Sequence, residues 1–189
     1  CHAVGSVGAQ GRVGSCARSD MAVFSFHPVK TLTTGEGGAI TTRDPVLARR
    51  LRMLRSHGIE RDPAHMVGLR YDGEGDEGPW VYEQQCLGFN YRLPDINCAL
   101  GLSQLKRLDV FAEKRKRLVA GYQRALASAN IPVGWAPPVD CDPMFHLFAV
   151  NIDFAAIGLT RAQVMQGLRE RGIGSQVHYI PVHRQPLGQ

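Results

Sequence analysis

The sequence predicts a mixed α/β chain that closes in a smaller α+β unit, and three observations carry that expectation. An apolar run over 21–26 and a second extended stretch over 38–42 flank a loop marked by proline and glycine. An amphipathic helix pattern follows at once. The last third then reads helix, strand, helix, strand, an order that sets it apart from the first hundred residues.

The run 21–26 is short and continuous, as a buried strand requires, and 38–42 resembles a second strand. Pro28 lacks an amide proton and Gly35-Glu36-Gly37-Gly38 favours turning, which places Lys30 on the loop between them. In the next helix Asp44 can accept from free amides, Pro45 suits the first turn, and Leu47, Leu51 and Leu54 make one apolar stripe. Gly58 is placed to stop it. Residues 61–79 are rich in Gly, Asp, Glu and Pro without periodicity and predict a mobile surface loop of a length that often carries function.

From Pro94 the helical pattern returns, with Ile96, Leu100, Leu105, Leu108 and Phe111 near one face and basic residues opposite. It predicts one helix, or a pair broken near Leu108, running to about Ala127. A proline-marked connection (Pro132, Pro137, Pro138, Pro143) leads to a predicted strand over 145–152. Thr160 is the cap and Gly172 the stop of a helix over 160–171, and 176–179 reads as a closing strand.

With 189 residues, of which 44% are hydrophobic, the chain suffices for one large domain or pieces of two. No run of about 18 apolar residues occurs, which excludes a membrane-spanning helix by length. The start, Cys1-His2-Ala3-Val4-Gly5, reads like the middle of a protein, and Pro186-Leu187-Gly188-Gln189 like an early end; truncation is expected on both sides. Five cysteines (Cys1, Cys16, Cys86, Cys98, Cys141) without a CxxC pair fit neither a disulfide framework nor a zinc site. They predict a reducing cytoplasm and no metal.

The net charge of +5 gathers in Arg49-Arg50-Leu51-Arg52 and Lys114-Arg115-Lys116-Arg117, both in helical sequence. Such clusters are normally solvated faces, and without a recognition motif they predict no nucleic-acid partner; anionic small substrates benefit from the same balance.

The chemistry concentrates around Lys30. A lysine at the end of a buried strand, with no acidic neighbour before Glu36, can be partly desolvated, which favours the neutral amine that condenses with a carbonyl. Ser25 adds a hydroxyl able to bind a phosphate oxygen, or simply to satisfy the strand end, and His27 adds an imidazole. The glycine stretch is no Walker loop, because its lysine precedes the glycines.

The segment Phe24-Ser25-Phe26-His27-Pro28-Val29-Lys30-Thr31-Leu32-Thr33-Thr34-Gly35-Glu36-Gly37-Gly38 resembles the cofactor-lysine motif of the DegT/DnrJ/EryC1/StrS aminotransferases. His2-Ala3-Val4-Gly5, Arg55-Ser56-His57-Gly58 and Gly88-Phe89-Asn90-Tyr91-Arg92-Leu93-Pro94-Asp95-Ile96 resemble three further family motifs in the same order. Trp80-Val81-Tyr82-Glu83-Gln84-Gln85 and Val177-His178-Tyr179-Ile180-Pro181-Val182-His183 resemble the branch that aminates a UDP-linked 4-keto sugar for pseudaminic acid.

The resemblance implies a fold-type I, aspartate aminotransferase-like chain using pyridoxal 5′-phosphate (PLP), with 1–108 as the C-terminal part of the large domain and 109–189 as the small one. Lys30 would carry the cofactor and move protons as general acid and base; Ser25 would hold its phosphate, and His2 would lie near its ring or phenolic oxygen. Asn90 and Arg92 would reach the phosphate of the neighbouring subunit's cofactor, implying a homodimer, while His178 and His183 would approach the nucleotide sugar.

The amino donor would be an amino acid, L-glutamate above all. The aspartate that pairs with the pyridine nitrogen in the family falls two residues before Cys1, so this polypeptide alone is expected to bind PLP poorly. Relatives that act as sugar dehydratases replace the lysine with histidine, and Lys30 counts against that branch. The other alternative is a non-catalytic sugar-nucleotide-binding or regulatory protein on the same scaffold.

Overall fold

A computed structural model describes residues 2–68, 78–135 and 140–186. Its elements are β1 (Val7–Gly8), β2 (Gly11–Arg12), β3 (Ala22–Ser25), β4 (Gly38–Thr41), α1 (Pro45–Arg55), β5 (Ile59–Glu60), β6 (Glu83–Gln84), α2 (Asp95–Leu105), α3 (Leu108–Ser128), β7 (Val133–Gly134), β8 (Cys141–Asp142), β9 (Asn151–Ile152) and α4 (Arg161–Glu170). Two compact units form: Cys1–Gln123 with Pro137–Phe148, and Arg124–Ala136 with Ala149–Gln189.

The two expected strands form as β3 and β4, and in the first unit they pair antiparallel from Ala22↔Thr41 to Ser25↔Gly38. β1 lies between β2 and β8, a pairing that brings the start of the chain to residues 141–142. Phe24, Leu32, Val119 and Met144 are buried. The predicted α1 forms with its predicted cap: Asp44 Oδ1 accepts from the Val46 and Leu47 amides at 2.7 and 3.3 Å. Arg52 and Arg55 sit in its last turn, where positive charge suits the helix dipole.

Past its end the chain makes a tight reversal. Gly58 N donates to Met53 O at 2.9 Å, with His57 and Gly58 both at positive φ (63° and 73°). Of the two expectations from Pro94 onward, one helix or a pair broken near Leu108, the structure has the pair, α2 followed by α3. Their shared apolar face is largely open, with Ile96, Leu100 and Leu105 exposed.

Within the segment 61–79, expected to be a surface loop, Asp62 caps a short 3-10 turn over Pro63–His65. The acidic stretch of that segment over 72–77 lies outside the described residues, as do Pro137 and Pro138. In β5, Glu60 is buried, and its carboxylate accepts from the amides of Arg61 (2.9 Å) and Asp62 (3.0 Å) and from Arg49 Nη1 (3.3 Å).

The Asp62 amide above all, then the Arg61 amide and the charges of Arg49 and His65, hold this carboxyl below the usual range against the opposing pull of desolvation. The folded group therefore binds its proton at lower pH than the unfolded one. The stabilisation is complete above the ordinary carboxylate pKa of about 4.3 and is lost as pH falls through the lowered folded value. Glu60→Gln is expected to lower the urea unfolding midpoint at pH 7, and the gap to the parent is expected to narrow as pH falls below the ordinary carboxylate range. A gap independent of pH would refute this account.

In the second unit β7 pairs with β9 through Val133↔Ile152, and α4 carries a reciprocal cap in which Thr160 and Gln163 bond each other's backbone amides. Gly172 ends α4 at φ 74°, as expected. Two expected strands are corrected. Of 145–152 only Asn151–Ile152 is paired, and 176–179 is in no ladder. Alternating sequence makes a strand only where another strand offers hydrogen-bonding groups, and among the described residues 145–150 and 176–179 meet none, while 151–152 meet β7.

Candidate active site

Lys30 stands on the loop between β3 and β4, and that loop is closed at its base. Phe26 N donates to Gly37 O (2.8 Å), while Thr34 N and Thr33 Oγ1 both donate to Phe26 O (3.0 Å each). Gly37, at φ 147°, makes this closure possible: a Cβ there would lie 2.6 Å from Thr34 Oγ1. The residues just after the lysine anchor the loop, since Thr31, Leu32 and Thr34 are only 5%, 2% and 2% exposed. Asn97 of α2 donates its amide to Thr34 O. Lys30 is thus a half-buried side chain on an immobilised backbone, its own amide donating to His27 O at 2.9 Å.

The Lys30 amine meets the first of the four motifs. Lys30 Nζ lies 2.6 Å from His2 Nε2, and the His2 ring lies against the His146 ring with centroids 4.7 Å apart and planes tilted by 37°. Ser25 ends β3, half-buried, and its hydroxyl makes no hydrogen bond among the described residues. His27 is turned to its own loop instead, accepting from Val29 N (3.3 Å) and facing Glu36 Oε1 at 3.7 Å.

The other two motifs bond to each other. Phe89 N and Tyr91 N donate to Leu54 O (3.0 Å) and Arg55 O (2.9 Å), so the segment bearing Asn90 takes up carbonyls that the end of α1 would otherwise leave free. His57 N donates back to Phe89 O at 2.9 Å, and Asn90 sits opposite Ser56. Asn90 and Arg92 are both exposed. Arg92 lines a cavity of about 570 Å³ with Arg49, Arg52, His57, Glu60 and Arg61. Of these, Arg49 is tied to Glu60 and Arg61 lies over the Tyr82 ring. His178 and His183 belong to the second unit: His178 stacks on Tyr179 at 4.6 Å, and His183 lies in a short 3-10 turn, Val182–Arg184.

The family model for DegT/DnrJ/EryC1/StrS aminotransferases matches residues 1–189. The chain belongs to that family. A relative from Bacillus subtilis (strain 168), the spore coat polysaccharide biosynthesis protein SpsC, is 37% identical over 191 residues, covering all of this chain and 46% of the relative. Helicobacter pylori PseC, an aminotransferase of pseudaminic acid biosynthesis, superposes with a TM-score of 0.77 at 30% identity, over the whole of this chain and 46% of that one. The PMP form of the putative sugar aminotransferase Spr1654 of Streptococcus pneumoniae superposes at 0.79 with 29% identity, over 98% of this chain and 45% of that one. The chain therefore spans about half the length of the DegT/DnrJ/EryC1/StrS proteins it matches. Its fold is that of the fold-type I PLP aminotransferases.

The cofactor of this family is pyridoxal 5′-phosphate. The donor set around Lys30 suits it: a primary amine for an aldehyde, a strand-end hydroxyl without a partner among the described residues for a phosphate oxygen, and an imidazole beside the amine. Among the described residues Lys30 makes no ion pair that would hold its amine away from a carbonyl. His146, Asn97 and Ser6 went unnoticed in the sequence. Each reaches this neighbourhood through a contact between residues far apart in the chain, and none stands in a local pattern that marks it.

Proposed function

We propose that the protein containing this chain transfers an amino group from an amino acid, most naturally L-glutamate, to the 4-keto group of a nucleotide-linked deoxysugar, UDP-linked as in pseudaminic acid biosynthesis. The donor leaves as its 2-oxo acid and the ketone becomes an amine, so two half-reactions share one cofactor. The observation carrying this reading is the Lys30 amine, half-buried on a pinned loop with His2 Nε2 2.6 Å away. The likeness to SpsC and PseC supports a sugar as acceptor.

PLP, when bound, supplies an aldehyde and a ring that accepts electrons. Lys30 would hold it and carry protons to and from the carbon that gains or loses nitrogen. Ser25 would bind its phosphate, and His2 would steady the amine and lie near the phenolic oxygen. Asn90 and Arg92, exposed on a segment fixed to the end of α1, would reach the cofactor phosphate of a second copy, making a homodimer the working form. His178 and His183 would contact the nucleotide sugar. In the whole protein, 1–108 would belong to the large domain and 109–189 to the small α+β domain, in a cytoplasmic enzyme. The described residues include no helix long and apolar enough to cross a membrane and no metal-binding cluster.

The direct test gives full-length protein a panel of 4-keto nucleotide sugars with glutamate and PLP, and reads amino-sugar product by mass spectrometry. Product with at least one member is the expected result. Failure across the panel, with PLP visibly bound, would remove the sugar acceptor from this reading.

A further inference from the structure

We propose that His146 is a positioning residue for the Lys30 site: its ring is the wall that keeps the His2 imidazole turned with Nε2 toward the Lys30 amine. This rests on the reading of Lys30 as the reactive amine, and it adds a residue outside all four motifs. His2 is an exposed residue whose ring meets Lys30 through an edge atom, Nε2, at 2.6 Å. An edge contact defines a distance but not a ring plane, whereas a second aromatic ring in contact restricts the χ torsions and so narrows the choice of plane. His146 supplies that ring, its centroid 4.7 Å from that of His2 and its plane tilted by 37°.

The wall itself is fixed by several independent bonds. Met144 N donates to the buried Ser6 hydroxyl at 2.8 Å, which ties the His146 segment to the segment that bears His2. Arg115 Nη1 donates to Phe145 O and His146 O at 3.1 and 3.3 Å. Upstream, β1 pairs with β8, and Lys116 Nζ reaches Asp142 Oδ1 at 2.6 Å. Histidines 144 positions apart are thereby carried on two strips of backbone joined at both pairing and side-chain level. Such an arrangement transmits a fixed ring orientation rather than a loose contact.

The test reads the coupling between His2 and Lys30 in full-length protein freed of cofactor and labelled with ¹³C-histidine. The titration midpoint of His2 is followed by its ring-carbon resonance, assigned by its loss in His2→Gln. Lys30→Met removes a positive charge beside Nε2, so the His2 midpoint is expected to rise by about half a pH unit or more. In a His146→Ala background the same substitution is expected to move it by less than about 0.2, because the swinging ring no longer faces the amine. His146→Phe keeps an aromatic wall and is expected to restore the full shift.

A purely structural role for His146 would lower the unfolding midpoint without altering this coupling. An undiminished shift in His146→Ala overturns the proposal, as does a lost shift in folded His146→Phe. A parent protein whose His2 midpoint ignores Lys30→Met overturns it as well. The PLP spectrum, which reports on Lys30 alone, then still decides the aminotransferase reading separately.

Discussion

Lys30→Ala in the full-length protein is expected to abolish the near-visible absorption band that forms on adding PLP and to lower amino transfer by at least about a thousandfold, since in the proposed function one amine would act as both nucleophile and proton carrier. The loss is expected to be chemical, not structural. The Lys30 amine bonds to the exposed His2, while the loop is held by its backbone closure at Phe26 and Gly37 and by buried Leu32. Unfolding midpoints should therefore match the parent's.

Two further measurements separate the amine from the fold. A small amine such as methylamine is expected to restore a fraction of the transfer in Lys30→Ala, because it can occupy the space vacated by the side chain and move the same protons. Lys114→Ala, an exposed lysine on α3, should leave both band and rate unchanged. Retention of the band in Lys30→Ala would show that another amine holds the cofactor, and the reactive lysine would then lie elsewhere.

The local half of this structure was legible in the sequence. The strands β3 and β4 with the loop between them, α1 with its Asp44 cap and Gly58 stop, and the Thr160 cap of α4 are each written within a few neighbouring residues, where capping and turn chemistry operate, whereas the break between α2 and α3 was legible only as one of two alternatives. What could not be read depends on distant partners. Residues 145–150 and 176–179 read like strands but pair with nothing among the described residues, and nothing in their own composition says so. The two motifs around Gly58 and Asn90 were recognisable separately, yet their union is made of backbone hydrogen bonds at 57–89, 54–89 and 55–91, which have no side-chain signature. His146 is hidden for the same reason: its significance comes from Ser6 and His2, at the far end of the chain.

Gly58 shows how a locally legible residue can carry a role that only the fold reveals, and Gly58→Ala is expected to be strongly destabilising. Its φ of 73° alone would cost an alanine about 1–2 kcal/mol. Gly172 ends α4 at nearly the same angle, φ 74°, but the space that an alanine methyl would fill there is open, with nothing within 4 Å. At Gly58, by contrast, a Cβ would lie 1.8 Å from Cys86 O, a separation no rotamer change can relieve because the obstacle is backbone. Gly88 presses on the same spot from the other strip, its own Cβ position lying 2.2 Å from Gly58 N.

Accommodating the methyl group thus means separating the end of α1 from the Cys86–Tyr91 strip that carries Asn90. The expected loss is roughly 3–5 kcal/mol for Gly58→Ala against about 1–2 kcal/mol for Gly172→Ala. Urea unfolding of the two variants measures both. Because the angle is common to the pair, the difference isolates the close approach of two backbones. Equal losses would mean that the strip yields freely at Cys86, and the segment bearing Asn90 would then lack the rigid seat on α1 that the hydrogen bonds at Leu54 and Arg55 describe.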